Sequence, residues 1–211
     1  MNFIEKVKGF LIKPSKTFDA SKDDTLIEAL KYYLIIAAIH SAFGILLWMF
    51  VLSGNFVLPP SYILLPLYVT LFGSVFGKYW GITLGREIEG ALLTFLILLI
   101  FRTLRVFIGG AILHACLIIV GRKKGITQAI KALMYGSTPA FLFHLIPVIG
   151  FFAVMWSLVL EIIGTRQLQE ITTGRAIVAV FMSIIIVVIL SVILEAIINT
   201  FVAKPLLSYY E

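Results

Sequence analysis

The chain has 211 residues, of which 61% are hydrophobic and 13% charged, and its mean hydropathy is +1.07. Soluble domains carry about 25% charged residues, so this chain has too few polar side chains to cover a soluble domain, and we expect a single membrane domain over residues 1–211. The net charge of +6 lies in short clusters between apolar runs. This pattern favours the lipid bilayer as a partner and argues against nucleic acid.

Residues 1–25 form a basic segment before the first apolar run. Phe3, Val7 and Phe10 recur at helical spacing with lysines between them, which predicts a short amphipathic helix lying in the membrane interface. The alternative is a solvated charged tail. We expect Pro14 to end this helix.

Long apolar runs predict membrane-spanning helices. Thr25 and Glu28 have the spacing of a capping box, which predicts the start of the first helix. Tyr32 and Tyr33 are expected where this helix meets the membrane boundary. The predicted spans are residues 26–52, 103–120, 126–146, 149–164 and 175–202.

Basic residues are concentrated before the first span, in the loop that begins at Gly121, and in the loop between residues 164 and 175. Positively charged loops stay on the cytoplasmic side, so we expect a cell-membrane protein with a cytoplasmic N-terminus and a C-terminus outside. That arrangement requires an odd number of spans.

Residues 62–101 are difficult to assign because glycine, proline and charged residues interrupt the apolar sequence. The chain must return inside by Gly121, so this region crosses the membrane twice or not at all. Its apolar run 91–101 is short and is followed by Arg102 and Arg105, which favours a re-entrant or partial hairpin. We predict an all-α polytopic transmembrane helical bundle of five spans, with seven as the alternative.

Two sets of small residues have the four-residue spacing that lets helices approach closely in lipid. The first set favours packing within the protein or between subunits, and it consists of Gly73, Gly77, Gly81 and Gly85. Ordinary helix packing explains the second set, which consists of Ala132, Gly136 and Ala140.

Three stretches of the sequence resemble the Yip-domain family, membrane proteins whose eukaryotic members interact with Ypt/Rab GTPases. They are FLIKPSKTF, GRKKGITQAIKALMYGSTPAFL and WSLVLEIIGTRQLQEITTGRA. In the second stretch a Gly-rich basic turn precedes a tyrosine that lies four residues before a proline. The residues that match the family pattern are Pro14, Phe18, Gly121, Gly125, Tyr135, Pro139, Trp156 and Gly164.

The resemblance implies a five-span membrane protein with a cytoplasmic N-terminus, and it is closer to the prokaryotic branch. The chain has neither the Asp-Leu-Tyr-Gly-Pro motif nor a long N-terminal cytoplasmic domain. A GTPase-binding or trafficking role is therefore not carried over.

Ionisable groups inside the membrane are candidates for function because their burial is costly unless they are paired. Lys131 and Glu161 lie at similar depth on consecutive predicted helices, so we expect them to pair or approach each other. Glu195 is expected to pair with Arg102 or Arg105 near the opposite side.

The three histidines, His40, His114 and His144, come from three helices and lack any ligand spacing, so we expect no metal and no cofactor. We expect the hydroxyl of Tyr135 to bond a backbone carbonyl freed by Pro139, which makes it a kink residue. No catalytic motif is present.

These observations favour a non-enzymatic membrane organiser or adaptor that binds other membrane proteins or a second copy of itself. The alternative is a transporter, channel or lipid-handling protein that uses residues 62–101 and the buried charges as a path. An intramembrane enzyme is the third reading, and we expect no catalytic residues.

Overall fold

The computed structural model describes residues 1–52, 88–121, 124–146, 148–198 and 200. These residues form helices joined by turns, and no strand occurs among them. The predicted all-α fold is confirmed. The helices are α1 (Phe3–Ile12), α2 (Pro14–Ala20), α3 (Leu26–Leu52), α4 (Ile88–Ile119), α5 (Ile126–Gly136), α6 (Thr138–Phe143), α7 (Ile149–Leu168) and α8 (Thr173–Ile198).

Within the described residues, four helices are long and apolar enough to cross a membrane. Their apolar stretches are Leu26–Leu47, Leu92–Ile119, Ile149–Leu168 and Thr173–Leu194. The predicted span 126–146 is divided into α5 and α6, and neither part alone has the length to cross. The protein is a helical membrane protein, and its count of five spans stays a prediction.

The first membrane helix begins as its sequence predicts. The backbone N–H of Glu28 donates to the hydroxyl oxygen of Thr25 at 3.2 Å, and the backbone N–H of Thr25 donates to the carboxylate of Glu28 at 2.7 Å. This reciprocal pair is a capping box, which supplies acceptors to two backbone N–H groups that have no partner within the helix.

Pro139 explains the break between α5 and α6. Proline displaces the carbonyl four residues before it, which here belongs to Tyr135. The hydroxyl of Thr138 donates to that carbonyl at 2.6 Å, so the freed acceptor is satisfied by a neighbouring side chain. The tyrosine hydroxyl does not take this role, contrary to the prediction.

Helix α4 continues through both arginines that were predicted to end an apolar run. Its 32 residues correspond to about 48 Å, longer than a hydrocarbon core of about 30 Å. The guanidinium of Arg102 lies 5.1 Å from the ring centre of Phe141, a cation–π contact that accommodates its charge against α6. The helix therefore begins before residue 103, while the point at which the chain enters the membrane stays a prediction.

Residues 88–101 of the predicted hairpin belong to α4, while the rest of that hairpin lies outside the described residues. The glycine face of the hairpin, Gly73, Gly77, Gly81 and Gly85, also lies outside them.

Three segments meet at one end of the bundle, which we call the polar end and define as residues 1–25, 124–125 and 169–172. The side-chain amide of Gln169 donates to the carbonyl of Gly125 at 3.1 Å and accepts from the backbone N–H of Lys124 at 3.2 Å. Lys124 also pairs with Glu170 at 3.3 Å. Helices α3, α5 and α8 begin at this end, and α4 and α7 end there.

Candidate functional site

The turn between α2 and α3 is bound by a lysine of α5. The ammonium of Lys131 donates to the carbonyls of Lys22 and Asp24 at 2.7 and 2.8 Å, and the residue is fully buried. The side chain of Gln128, one turn earlier on α5, also donates to the Lys22 carbonyl at 3.2 Å. Two α5 side chains thus bind the backbone that enters the first membrane helix.

The carboxylate of Asp24 joins three parts of the protein. Its Oδ2 atom accepts a hydrogen bond from Lys6 of α1 at 2.6 Å and another from the hydroxyl of Tyr135 of α5 at 2.5 Å. The Lys6 and Asp24 side chains are only 11% and 17% exposed. Charge-assisted bonds of this kind are stronger than bonds between neutral groups.

The surroundings of Asp24 hold it in the ionised form. Burial raises the pKa of its carboxyl, but the hydrogen bonds from Lys6 and Tyr135 and the charges of Lys6 and Lys131 oppose this effect. The net result is that the pKa of Asp24 lies below its ordinary value of 3.8. We call Lys6, Asp24, Lys131 and Tyr135 the Asp24 centre.

Aromatic rings enclose the Asp24 centre on its apolar side. Phe10 of α1 stacks on Tyr135 with ring centres 4.8 Å apart and planes at 22°, and it meets Phe18 of α2 edge-on at 4.8 Å. Tyr32 of α3 contacts Tyr135 at 5.3 Å. The inner face of α1 therefore packs against the bundle, which the predicted interfacial helix did not include.

Both tyrosines predicted at the membrane boundary are buried between helices. The hydroxyl of Tyr32 shares a hydrogen bond with the hydroxyl of Thr138 at 3.0 Å, and Tyr33 donates to the carbonyl of Arg102 at 2.9 Å. Each residue is 4% exposed. The start of α3 is surrounded by α1, α5 and α6, so these rings pack against protein. Their depth relative to the membrane boundary stays a prediction.

Several residues of the family pattern meet at the Asp24 centre. A Cβ on Gly164 of α7 would lie 2.6 Å from a ring carbon of Phe18, so only glycine leaves room for that ring. Phe18 in turn faces Tyr135 edge-on at 6.3 Å. Phe18, Tyr135 and Gly164 are far apart in the sequence, and the fold brings them together where α2, α5 and α7 meet.

The other family residues shape the chain around this contact. Pro14 is the first residue of α2, and Gly125 caps the start of α5. Gly121 has a φ of +82°, a conformation that glycine adopts without strain. Trp156 is exposed on α7, on the outside of the bundle.

Lys131 does not pair with Glu161. Its ammonium bonds the two carbonyls before α3, and the positive charge that acts on Glu161 is that of Arg105. Glu161 instead lies against Gly136, where an added Cβ would be 2.6 Å from its Cγ and 3.1 Å from its backbone nitrogen. Gly136 thus brings α5 and α7 together.

The other members of that small-residue face also pack inward. Ala132 is fully buried, and the backbone N–H of Ala140 donates to the hydroxyl of Ser157 on α7 at 2.9 Å. For Glu195, the side chain lies outside the described part of the chain, so its pairing with Arg102 or Arg105 stays a prediction.

A second polar group lies deeper in the bundle, around Phe141. His40 donates from Nδ1 to the carbonyl of Phe141 at 2.8 Å, and its ring centre is 5.9 Å from that of His144. The guanidinium of Arg102 lies over the ring of Phe141, 5.1 Å from the ring centre. His114 of α4 is half-buried.

In the residues that the structure describes, no three His, Cys, Asp or Glu side chains are arranged to hold a metal ion. The arrangement around Asp24 binds one segment of the chain to another, because its donors face backbone carbonyls and its carboxylate faces two internal donors. Sequence reasoning missed Asp24 and Lys6. The signal was the acidic pair Asp23 and Asp24 directly before α3, close in depth to Lys131.

A family model described as the Yip1 domain matches residues 8–194. No curated protein and no solved structure matches the chain. The matched range includes Phe18, Asp24, Tyr135 and Gly164, and it begins two residues after Lys6. The chain belongs to the Yip1 domain family.

Proposed function

We propose that this protein is a non-enzymatic membrane adaptor, which binds other membrane proteins and presents a fixed polar surface on the cytoplasmic side. The observation that supports it is the Asp24 centre. Its charged groups are used to bind residues 1–25 to α5, so that segments distant in sequence form one surface at the polar end. A fixed surface of this kind suits recognition of a partner.

The family supports the same proposal, since Yip-domain proteins of eukaryotes interact with other proteins at membranes. We infer that the N-terminus is cytoplasmic, the C-terminus outside, and the spans five. Single cysteines in a Cys116→Ser background test the orientation. Labels at Lys16→Cys and Thr127→Cys should require access from the cytoplasmic side, and a label at Val148→Cys access from outside.

Variants in the predicted glycine face, at Gly77 and Gly81, test whether the protein associates with a partner or with a second copy of itself. Full-length tagged protein, purified from its native membranes in mild detergent, should carry a stoichiometric membrane-protein partner or a second copy of the chain. Gly77→Leu and Gly81→Leu should weaken that association because a large side chain separates closely packed helices.

Gly44→Leu is the matched control, because nothing lies within 4 Å of a Cβ placed at Gly44 of α3. It should leave the association unchanged. A wild-type protein that is monomeric and carries no stoichiometric partner would contradict the adaptor proposal, as would equal effects of all three leucine variants.

A transporter, channel or lipid-handling role is the second candidate, and the polar group around Phe141 favours it. Arg102 of α4, His40 of α3 and His144, directly after α6, lie around Phe141. Intramembrane ionisable groups often mark substrate paths. Ion or lipid flux in reconstituted vesicles, lost in Arg102→Gln and kept in Tyr33→Phe, would support this role over the adaptor.

A further inference from the structure

Helix α1 has two apolar stripes, and the bundle covers only one of them. Phe3, Val7 and Phe10 pack against the core beside Tyr32 and Tyr135. On the other side of the helix, Ile4 and Ile12 are 62% and 72% exposed. The outer stripe needs a different apolar environment from the one the bundle supplies.

The depth of α1 follows from its contacts with α3. Phe10 meets Tyr32 with ring centres 5.8 Å apart, and Tyr32 lies in the second turn of α3. Its neighbour Lys31 is exposed and shares a four-residue stripe with the exposed Ile27 and Ile35. A lysine in a lipid-facing stripe extends to the headgroups, so α1 lies at headgroup level.

The outer side of this segment is basic. Lys8 lies between Ile4 and Ile12 at four-residue spacing, and Lys13 and Lys16 follow at the start of α2; all three lysines are exposed. The ion pairs found in the described residues involve other lysines. Three ammonium groups therefore face outward without a carboxylate within ion-pair distance in that part of the chain.

We propose that the outer face of α1 and the start of α2 bind anionic phospholipid. Ile4 and Ile12 enter the boundary of the acyl chains, and Lys8, Lys13 and Lys16 contact headgroup phosphates. The occupant is a lipid surface because the exposed isoleucines need an apolar partner that free phosphate does not have. The proposal depends on the membrane setting and is independent of the adaptor role.

The position of the helix gives this binding a consequence for the fold. The inner face of α1 is joined to the bundle through Phe10 and through the bond from Lys6 to Asp24. Lipid bound on the outer face therefore holds residues 1–25 in their bundle contacts from the opposite side.

Native mass spectrometry of the full-length protein tests the proposal. The purified protein is mixed with equal amounts of phosphatidylglycerol and phosphatidylcholine, and the lipids that remain bound are counted. Wild type should retain phosphatidylglycerol about fivefold over phosphatidylcholine, and the Lys8→Gln, Lys13→Gln, Lys16→Gln triple variant should lose that preference. Thermal unfolding in lipid-free detergent should be the same for both, since the three lysines are exposed.

The matched control removes three positive charges elsewhere near this side of the bundle: Lys124→Gln, Arg166→Gln in the last turn of α7 and Arg175→Gln in the first turn of α8. It should keep the preference for phosphatidylglycerol, and excess inorganic phosphate should not displace the lipid. Equal retention of both lipids by wild type would overturn the proposal. So would an unchanged preference in the α1 variant, an equal loss in the control, or displacement by inorganic phosphate.

Discussion

Tyr135 of α5 donates its hydroxyl to the carboxylate of Asp24, a residue 111 positions earlier in the chain, at an oxygen–oxygen distance of 2.5 Å. The same carboxylate oxygen accepts from Lys6 of α1. One carboxylate oxygen thus connects the N-terminal helix, the entrance of the first membrane helix and the middle of the bundle.

Replacing the hydroxyl of Tyr135 should destabilise the protein more than the usual loss of one hydroxyl. Hydrogen bonds to charged groups contribute about 1.5–3 kcal/mol, so Tyr135→Phe should lower the free energy of unfolding by that amount. Asp24→Asn should lower it too, and the double variant should show a coupling of about 1 kcal/mol or more. Denaturant unfolding in detergent measures all three.

Tyr33→Phe is the control for that cycle, because its hydroxyl bonds the neutral carbonyl of Arg102. It should cost about 1 kcal/mol and should add to the effect of Asp24→Asn without coupling. Additive effects of Tyr135→Phe and Asp24→Asn would contradict the direct bond.

Lys131→Met should release residues 1–25 from the bundle. The change leaves the buried carbonyls of Lys22 and Asp24 without the ammonium that binds them, at a cost of about 2 kcal/mol or more. Limited trypsin digestion should then cleave faster after Lys8 and Lys16, since cleavage follows local opening.

For comparison, Lys124→Met removes an ion pair whose side chains are 45% and 47% exposed. Such pairs contribute about 0–1 kcal/mol, so cleavage of the N-terminal segment should be nearly unchanged. A trypsin pattern that is the same in Lys131→Met as in wild type would show that the lysine does not hold this segment.

Local patterns in the sequence predicted the parts of the structure that depend on neighbouring residues. Hydrophobic runs predicted that the chain is helical, and the spacing of Thr25 and Glu28 predicted the capping box that the structure has. The membrane setting and the family followed from composition and from short motifs.

The Asp24 centre could not be predicted in this way because it depends on packing between distant segments. The sequence indicates that Lys131 lies inside the membrane boundary, and it predicts Glu161 on the next long helix as its partner. The structure instead has the ammonium bonded to a carbonyl 107 residues away. Backbone carbonyls carry no residue-specific signal, so no motif marks this partner.

Stability should fall in acid through Asp24. The pKa of its carboxyl is lowered in the folded protein, so its stabilising contribution is complete above the ordinary value of 3.8 and is lost as pH falls below it. Thermal unfolding in detergent, followed from about pH 7 to about pH 3, should show this loss in wild type and a smaller one in Asp24→Asn.

Asp19→Asn is the control for the pH series, since the ion pair of Asp19 with Lys22 has side chains that are 52% and 38% exposed. Exposed pairs contribute little, so this variant should keep the acid dependence of wild type. An acid profile of Asp24→Asn that overlays the wild-type profile would rule out the proposed role of the carboxylate.

Glycines at helix crossings should tolerate no methyl group. A Cβ at Gly136 would lie 2.6 Å from Cγ of Glu161 and 3.1 Å from its backbone, and one at Gly110 would lie 3.0 Å from the Cα of Ile130. Backbone atoms cannot move aside cheaply, so Gly136→Ala and Gly110→Ala should each cost about 1–3 kcal/mol. Gly44→Ala meets nothing within 4 Å and should stabilise α3 by about 0.5–1 kcal/mol, because alanine forms helices better than glycine. Unfolding in detergent should therefore separate the two crossing variants from Gly44→Ala in sign, and a common sign for all three would contradict the close packing of α5 on α7 and α4.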